Sequence, residues 1–299
     1  MQKTTTADYL HLHFLVLIWG FTAILGLLIS VSALTLVAYR TLLAALGLAV
    51  VLMVQKKMVA IAPADRLKLL ATGLVIALHW ALFFGAARVA NASVCLAGMA
   101  TGSLWTSLLE PLFFRRRLRL VEVTLGLVVM AGLYLIFRFE LDRAVGLLMA
   151  VFSAMLAAVF TIINSRFTRR YSALTITFYE MCGAFGGSLV FLGLYLALGL
   201  EKPQALWPQP TDWIWISILA LVCTVYAYSA AVVLMRKFSA FAINLTVNLE
   251  PVYGIMLAWL FFGDRERMTT GFYIGTLVIL VAVLAYPVWS RKQDKSYSV

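Results

Sequence analysis

The chain is short of charge. Asp, Glu, Lys and Arg together make up 12% of its 299 residues, against 63% hydrophobic residues and a mean hydropathy of +0.96. Water-facing globules carry about 25% charged and about 45–50% apolar residues. Too few charges remain to coat a soluble domain of this size, so the composition makes the chain an integral membrane protein and excludes most soluble enzyme classes. Cysteine is scarce too. Cys95, Cys182 and Cys223 all lie inside apolar runs and give neither a disulfide framework nor metal-ligand spacing. No metal and no cofactor is implied. No Gly-rich nucleotide-binding loop ending in Gly-Lys-Ser/Thr is present, so the chain does not hydrolyse ATP itself. An intramembrane enzyme needs a nucleophile with its base in reach. Only His79 lies deep in a span, and no acid sits one turn from it. A channel needs a selectivity filter or charged ring, and none is visible.

What is there is a series of apolar runs. A bilayer core takes about 20 apolar residues per helix. Ten such segments can be drawn, at roughly 10–30, 34–54, 67–87, 92–114, 120–138, 144–164, 173–200, 213–235, 240–262 and 271–289. The first run reads as a retained helix rather than a cleaved signal. The net charge of +11 does not point to nucleic acid, because Lys and Arg sit in short clusters between the apolar runs. With the N-terminus inside, seventeen of the 24 Lys and Arg residues fall in inside segments and six in outside segments, with Arg40 within a span. That bias predicts both termini in the cytoplasm.

The two halves resemble each other. Ser32-Ala33-Leu34-Thr35 recurs as Ser172-Ala173-Leu174-Thr175 at an offset of 140, and Pro63-Ala64-Asp65 recurs as Pro210-Thr211-Asp212 at an offset of 147. Tyr39 meets Tyr179, Gly47 meets Gly187 and Gly126 meets Gly275. Each half holds five spans, an odd number, so the second is inserted upside down. The expected fold is all-α: ten transmembrane helices as two inverted five-helix repeats, residues 1–143 and 144–299. Inverted repeats are a secondary-transporter architecture, with the substrate near the midplane.

Several local patterns, in this order, resemble the EamA-type transporters of the drug/metabolite transporter superfamily. They are Trp19-Gly20, His79-Trp80 with Phe83-Phe84 and Ala86-Ala87, the Gly126 and Gly132 spacing, and Glu250-Pro251 followed by Gly263-Asp264-Arg265-Glu266. The resemblance covers nearly the whole chain. It implies a bacterial inner-membrane permease, often an exporter of amino acids or related metabolites, with a central cavity lined by both halves. One departure is that Glu110-Pro111 lies near the inner end of span four, whereas Glu250-Pro251 lies near the middle of span nine.

Ionisable groups inside a bilayer cost about 2.5–3.5 kcal/mol on insertion scales and mark function by default. Here they are Arg40, His79, Glu110, Glu180 and Glu250. Pro251 removes a backbone donor and should kink span nine beside Glu250, a geometry tolerated where it lines a cavity. Asn244 and Asn248 share one helical face, and Thr246 and Glu250 lie nearly opposite, so one pair should bond a neighbouring helix. His79 is either a substrate or proton group or a neutral bond between helices, and its repeat mate is Tyr226. Arg40 and Glu180 are repeat mates, read either as gate charges or as side chains snorkelling to opposite surfaces. Glu110 either joins a polar wall with Ser103, Thr106 and Ser107 or pairs with Arg115, Arg116 or Arg117. The substrate-pathway candidates are Trp19, His79, Trp80, Trp105, Tyr179, Glu180, Tyr226, Asn248 and Glu250.

The resulting expectation is a secondary transporter that moves small polar metabolites and exports amino acids by alternating access. A drug or cation efflux carrier is the alternative, with an intramembrane enzyme or a channel behind it. The expected partners are a small-molecule substrate and the lipid bilayer. Glycine pairs such as Gly98/Gly102, Gly183/Gly187 and Gly271/Gly275 serve either a homodimer or close helix approach within the bundle.

Overall fold

The structure, a computed structural model, describes residues 4–56, 61–114, 120–139, 141–200 and 206–296. Lys3, Lys57, the cluster from Arg115 to Arg119, and Lys202 lie outside them, and with them the proposed pairing of Glu110 with Arg115, Arg116 or Arg117. Among the described residues every regular element is helical. In order these are α1 (Thr6–Gly20), α2 (Thr22–Leu28), α3 (Ala33–Val54), α4 (Pro63–Val89), α5 (Ala92–Met99), α6 (Gly102–Phe114), α7 (Leu120–Phe139), α8 (Ala144–Phe167), α9 (Ala173–Ala197), α10 (Asp212–Ser217), α11 (Ala227–Leu234), α12 (Ala240–Val247), α13 (Glu250–Phe262) and α14 (Thr270–Ser296). A π-helical stretch, Ile218–Tyr226, joins α10 to α11. Eight helical stretches among the described residues are long and apolar enough to cross a membrane, and two shorter apolar helices, Leu127–Ile136 and Thr270–Ala282, fall within α7 and α14. The chain is an all-helical, multi-pass membrane protein.

The repeated Ser-Ala-Leu-Thr has a local cause. In both copies its serine caps a helix: the Ser32 hydroxyl accepts from the Thr35 amide at 3.3 Å, and the Ser172 hydroxyl from the Thr175 amide at 3.2 Å. Each cap satisfies an orphan amide, worth about 1 kcal/mol. The repeated Asp has a tertiary role. Asp65, at the start of α4, accepts from the Tyr171 hydroxyl at 2.8 Å, just before α9. That bond raises the Tyr171 phenol above its ordinary pKa. Asp212, at the start of α10, accepts from the Ser30 amide at 2.9 Å and the Ser30 hydroxyl at 2.5 Å, just before α3. The two aspartates thus make reciprocal ties between the halves.

Three membrane-crossing stretches are interrupted. The chain breaks at Phe21, at Ala100–Thr101 and at Asn248–Leu249. Near Pro251 the expected kink is a two-residue interruption, in which Asn248 and Leu249 leave the regular α-helix but keep right-handed helical backbone angles. α12 ends at Val247 and α13 restarts at Glu250, which puts Pro251 in a first turn where its missing N–H costs nothing.

α4 runs through the centre, packed on α8 and α9. Its approach to α9 is set by glycine: a Cβ on Gly73 would lie 2.6 Å from the Ala184 nitrogen, and one on Gly183 would lie 2.7 Å from the Leu70 Cα. α7 and α14 pair in the same way at Gly132 and Gly275. These glycines are used within the chain. Buried apolar residues form a large cluster around α1 to α5 and α8 to α13, and a second one beneath α7 and α14. Large apolar side chains such as Leu46, Val50, Leu194 and Leu260 stand exposed on the outside, the face a lipid-embedded bundle presents.

Candidate functional site

The interrupted helices meet around one central cavity. Its wall takes Trp19 and Thr22 from α1 and α2, Arg40 from α3, His79, Trp80 and Phe83 from α4, Phe160 and Thr161 from α8, Tyr228 from α11, and Asn244 and Glu250 from either side of the α12–α13 break. Glu250 is 5% exposed. No hydrogen bond or ion pair joins it to any described residue. The interruption at Asn248 explains its position: Glu250 opens α13 and lines the cavity with Asn244, whereas Asn248 does not.

Asn244 and Asn248 form a brace. The Asn248 amide, turned so that donors meet acceptors, accepts from the Ser103 hydroxyl at 2.5 Å and donates to the Ala100 carbonyl at 3.0 Å. Asn244 donates to the Thr106 hydroxyl at 2.7 Å. Two helix breaks, α5–α6 and α12–α13, are therefore tied to each other, and the freed Ala100 carbonyl finds a partner there. Of the two polar pairs on span nine, the asparagines bond the neighbouring helix. Asn248 is 1% exposed and belongs to that brace rather than to the cavity wall.

His79 hydrogen-bonds to α8. Its Nδ1 lies 2.9 Å from the Ser153 carbonyl, which can only accept, so Nδ1 carries the proton, and the Ser153 hydroxyl donates to the His79 carbonyl at 2.8 Å. Nε2 is left as an acceptor. The ring packs edge-on to Phe160 with centroids 5.3 Å apart. His79 is thus both a bond between helices and part of the cavity wall.

Arg40 corrects a sequence reading. It does not snorkel: it is 2% exposed, its Nε donates to the Thr224 hydroxyl at 2.9 Å, and its guanidinium carbon lies 3.9 Å from the Trp80 ring centroid. Such a stack is worth about 2 kcal/mol when desolvated. The π-helical stretch makes this bond possible, because Thr224 donates back to the Leu219 carbonyl five residues earlier and turns its lone pairs to Arg40. Glu180 does not snorkel either. It is fully buried one layer behind the wall, where its Oε2 accepts from the Tyr228 hydroxyl at 3.0 Å, and Asn164 donates to the same hydroxyl at 2.9 Å.

Of the nine candidates, Trp19, His79, Trp80 and Glu250 line the cavity, and Glu180 supports it through Tyr228. Trp19 donates its Nε1 to the Cys223 carbonyl at 3.2 Å, within the π-helical stretch. Asn248 belongs to the brace, and the other three candidates lie elsewhere. Tyr226 is 44% exposed and bonds His11 at 3.1 Å on the outside of the bundle. Its expected place as mate of His79 is taken by Tyr228, because a π-helical turn spreads more residues over each turn and rotates the face. Tyr179 packs beside Phe178, and Trp105 lies half-buried on α6, off the cavity wall. Tyr228, Phe160 and Asn164 were missed as site residues. Tyr228 alone carried a signal, as an aromatic near mid-span.

The cavity adjoins a second pocket at one end and is tied shut at the other. Met235 borders both the cavity and a second, arginine-rich pocket formed by Glu110, Ser165, Arg169, Arg170 and Arg236. Glu110 therefore lines that second pocket and not the central cavity, apart from Glu250. The opposite end is tied by Asp212 to Ser30, by Arg88 donating to the Gly26 and Ile29 carbonyls at 3.1 and 3.2 Å, and by Glu266 accepting from the Ala92 and Ser93 amides at 3.1 and 2.9 Å.

Comparison with known proteins agrees with this architecture. No curated protein matches the chain. A solved structure described only as "Crystal structure of protein" superposes with a TM-score of 0.66 at 16% identity, covering 96% of this chain and 99% of that one, and shows a shared fold. The model of the EamA-like transporter family matches twice in tandem, over residues 9–138 and 144–286. Those two matches span nearly the whole sequence, and the chain belongs to the EamA-like transporter family.

Proposed function

We propose that this membrane transporter is a secondary carrier that exports amino acids or closely related small polar metabolites across the inner membrane by alternating access. The observation that carries the reading is the central cavity at the helix interruptions, where Glu250 meets no partner among the described residues. Broken helices around a midplane cavity are the recurrent binding architecture of secondary transporters. Aromatic walls from Trp19, Trp80, Phe160 and Tyr228 offer area, and a few polar groups offer orientation.

The fold reading behind this is ten spans in two inverted five-helix repeats, 1–143 and 144–299, with both termini cytoplasmic. The reciprocal ties of Asp65 and Asp212 support it, as does the tandem family match. Contacts between described loops join loops that the ten-span topology puts on one side, such as Asp8 with Lys237 at 2.7 Å inside and Ser93 with Glu266 outside. On that topology the arginine-rich pocket faces the cytoplasm. The outward direction of transport rests on family resemblance, and a homodimer remains part of the reading.

Carriage of an organic cation is a second reading, favoured by a lone carboxylate among aromatic rings. A Glu250→Gln variant tests the site. It should abolish or strongly reduce transport while leaving expression and the melting temperature unchanged. Full transport in that variant refutes a role for the charge.

A further inference from the structure

Two opposite charges face the central cavity, and neither is neutralised by the protein. Arg40 comes from α3, in the first family match, and Glu250 from α13, in the second. The guanidinium uses Nε on Thr224 and one face on Trp80. Among the described residues, neither its Nη1 nor its Nη2 meets an acceptor, and no carboxylate pairs with it. Glu250 likewise has no hydrogen bond and no ion pair, with Arg40 or with any other described residue. Glu180, the other buried acid nearby, spends Oε2 on Tyr228.

Taking a charge out of water costs several kcal/mol per ion even after relaxation. A pair of unlike charges within one cavity normally collapses into a salt bridge. Here the Trp80 stack and the Thr224 bond hold one charge back, and the helix break fixes the other. A ligand that brings both counter-charges offsets this cost at both ends of the cavity. The planar fork of Arg40 matches a carboxylate in bidentate fashion. The Glu250 carboxylate matches an ammonium. His79 Nε2 adds one acceptor, and Trp80, Phe160 and Tyr228 leave an aromatic wall for a side chain.

We infer that Arg40 and Glu250 together form a zwitterion site, in which Arg40 binds the α-carboxylate of a free amino acid and Glu250 its α-ammonium. The inference rests on the carrier reading above and narrows it. A simple organic cation meets the uncompensated Arg40, and a simple anion meets Glu250, so each is rejected by one end of the site.

The test uses the full-length protein in liposomes. Preloaded L-leucine and L-phenylalanine are challenged by the free amino acid, its methyl ester, which lacks the carboxylate, and its N-acetyl derivative, which lacks the ammonium. The free amino acid should exchange, and each blocked form should compete at least about tenfold more weakly, the loss expected for one charged hydrogen-bonded contact. In Arg40→Gln the methyl ester should compete as well as the amino acid. In Glu250→Gln, where exchange is lost, equilibrium binding to the purified protein should be equal for the N-acetyl form and the free amino acid. Methyl esters that compete equally in the unaltered protein overturn the zwitterion site, and this arm needs no variant to fold. Exchange of organic cations but not of amino acids also overturns it, while the carrier reading stands. No exchange of any solute by folded protein removes both.

Discussion

Asp212→Asn should unlock one end of the cavity. The carboxylate is 2% exposed and accepts three bonds: Oδ1 from the Ser30 amide at 2.9 Å, and Oδ2 from the Ser30 hydroxyl at 2.5 Å and the Gln209 amide at 2.8 Å. An asparagine keeps one acceptor oxygen. The Ser30 hydroxyl can turn to accept from the new amide, but the Gln209 N–H then faces a donor. One charge-assisted bond is lost outright and another is weakened, for a total of about 3 kcal/mol. If this tie holds the outer end closed, only the weakening of the Ser30 bonds, about 1.5 kcal/mol, bears on opening, because the Gln209 bond is local to its own turn, and the closed-to-open ratio shifts by about tenfold. Cys223 lines the cavity and reports on the shift. In a Cys95→Ser/Cys182→Ser background it is the sole thiol, and a membrane-impermeant maleimide added outside should label it far faster in Asp212→Asn. Asp65→Asn is the matched control. Its Tyr171 hydroxyl can reverse to accept, and its cationic neighbours Lys68 and Arg170, both at 3.5 Å, are 66% and 69% exposed and worth little. That variant should label at nearly the parent rate. Equal labelling of parent, Asp212→Asn and Asp65→Asn refutes the reasoning.

Gly183→Val should lower the melting temperature sharply, because its Cβ meets Leu70 backbone at 2.7 Å and overpacking costs about 1–3 kcal/mol; Gly186→Val, with nothing within 4 Å, should not. An unchanged melting temperature for Gly183→Val contradicts the close packing of α4 on α9. Tyr228→Phe removes the hydroxyl shared by Asn164 and Glu180, whose Oδ1 and Oε1 already lack partners, so thermal unfolding should report a loss of about 1–3 kcal/mol. A neutral result there means the buried acid is held by something else.

How much of this was legible depended on the kind of signal. Span positions were, because apolar length is a composition property and the bilayer sets the length. The repeated Ser-Ala-Leu-Thr was legible because a helix cap needs a hydroxyl three residues before the amide it satisfies. Glu250 was legible through Pro251, since proline disrupts a helix from within one residue of the chain. The breaks at Phe21 and Ala100 carried no proline and left no mark. Tyr226 was misplaced because facing was counted at α-helical spacing across Ile218–Tyr226, which is π-helical. Arg40 was undervalued because snorkelling is judged from depth alone. The Trp80 face and the Thr224 hydroxyl that retain it come from α4 and the π-helical stretch, far away in sequence. Trp105 and Tyr179 show the limit of residue type: an aromatic at mid-depth does not reveal which way it faces.

The central claim is that this cavity carries solute by a saturable, alternating cycle. The direct test is counterflow in proteoliposomes loaded with a mixed panel of amino acids and other polar metabolites, read by mass spectrometry over a range of external concentrations. The account predicts exchange of amino acids that saturates with concentration and collapses in Glu250→Gln. Flux that rises linearly without saturating, or exchange indifferent to Glu250, contradicts it.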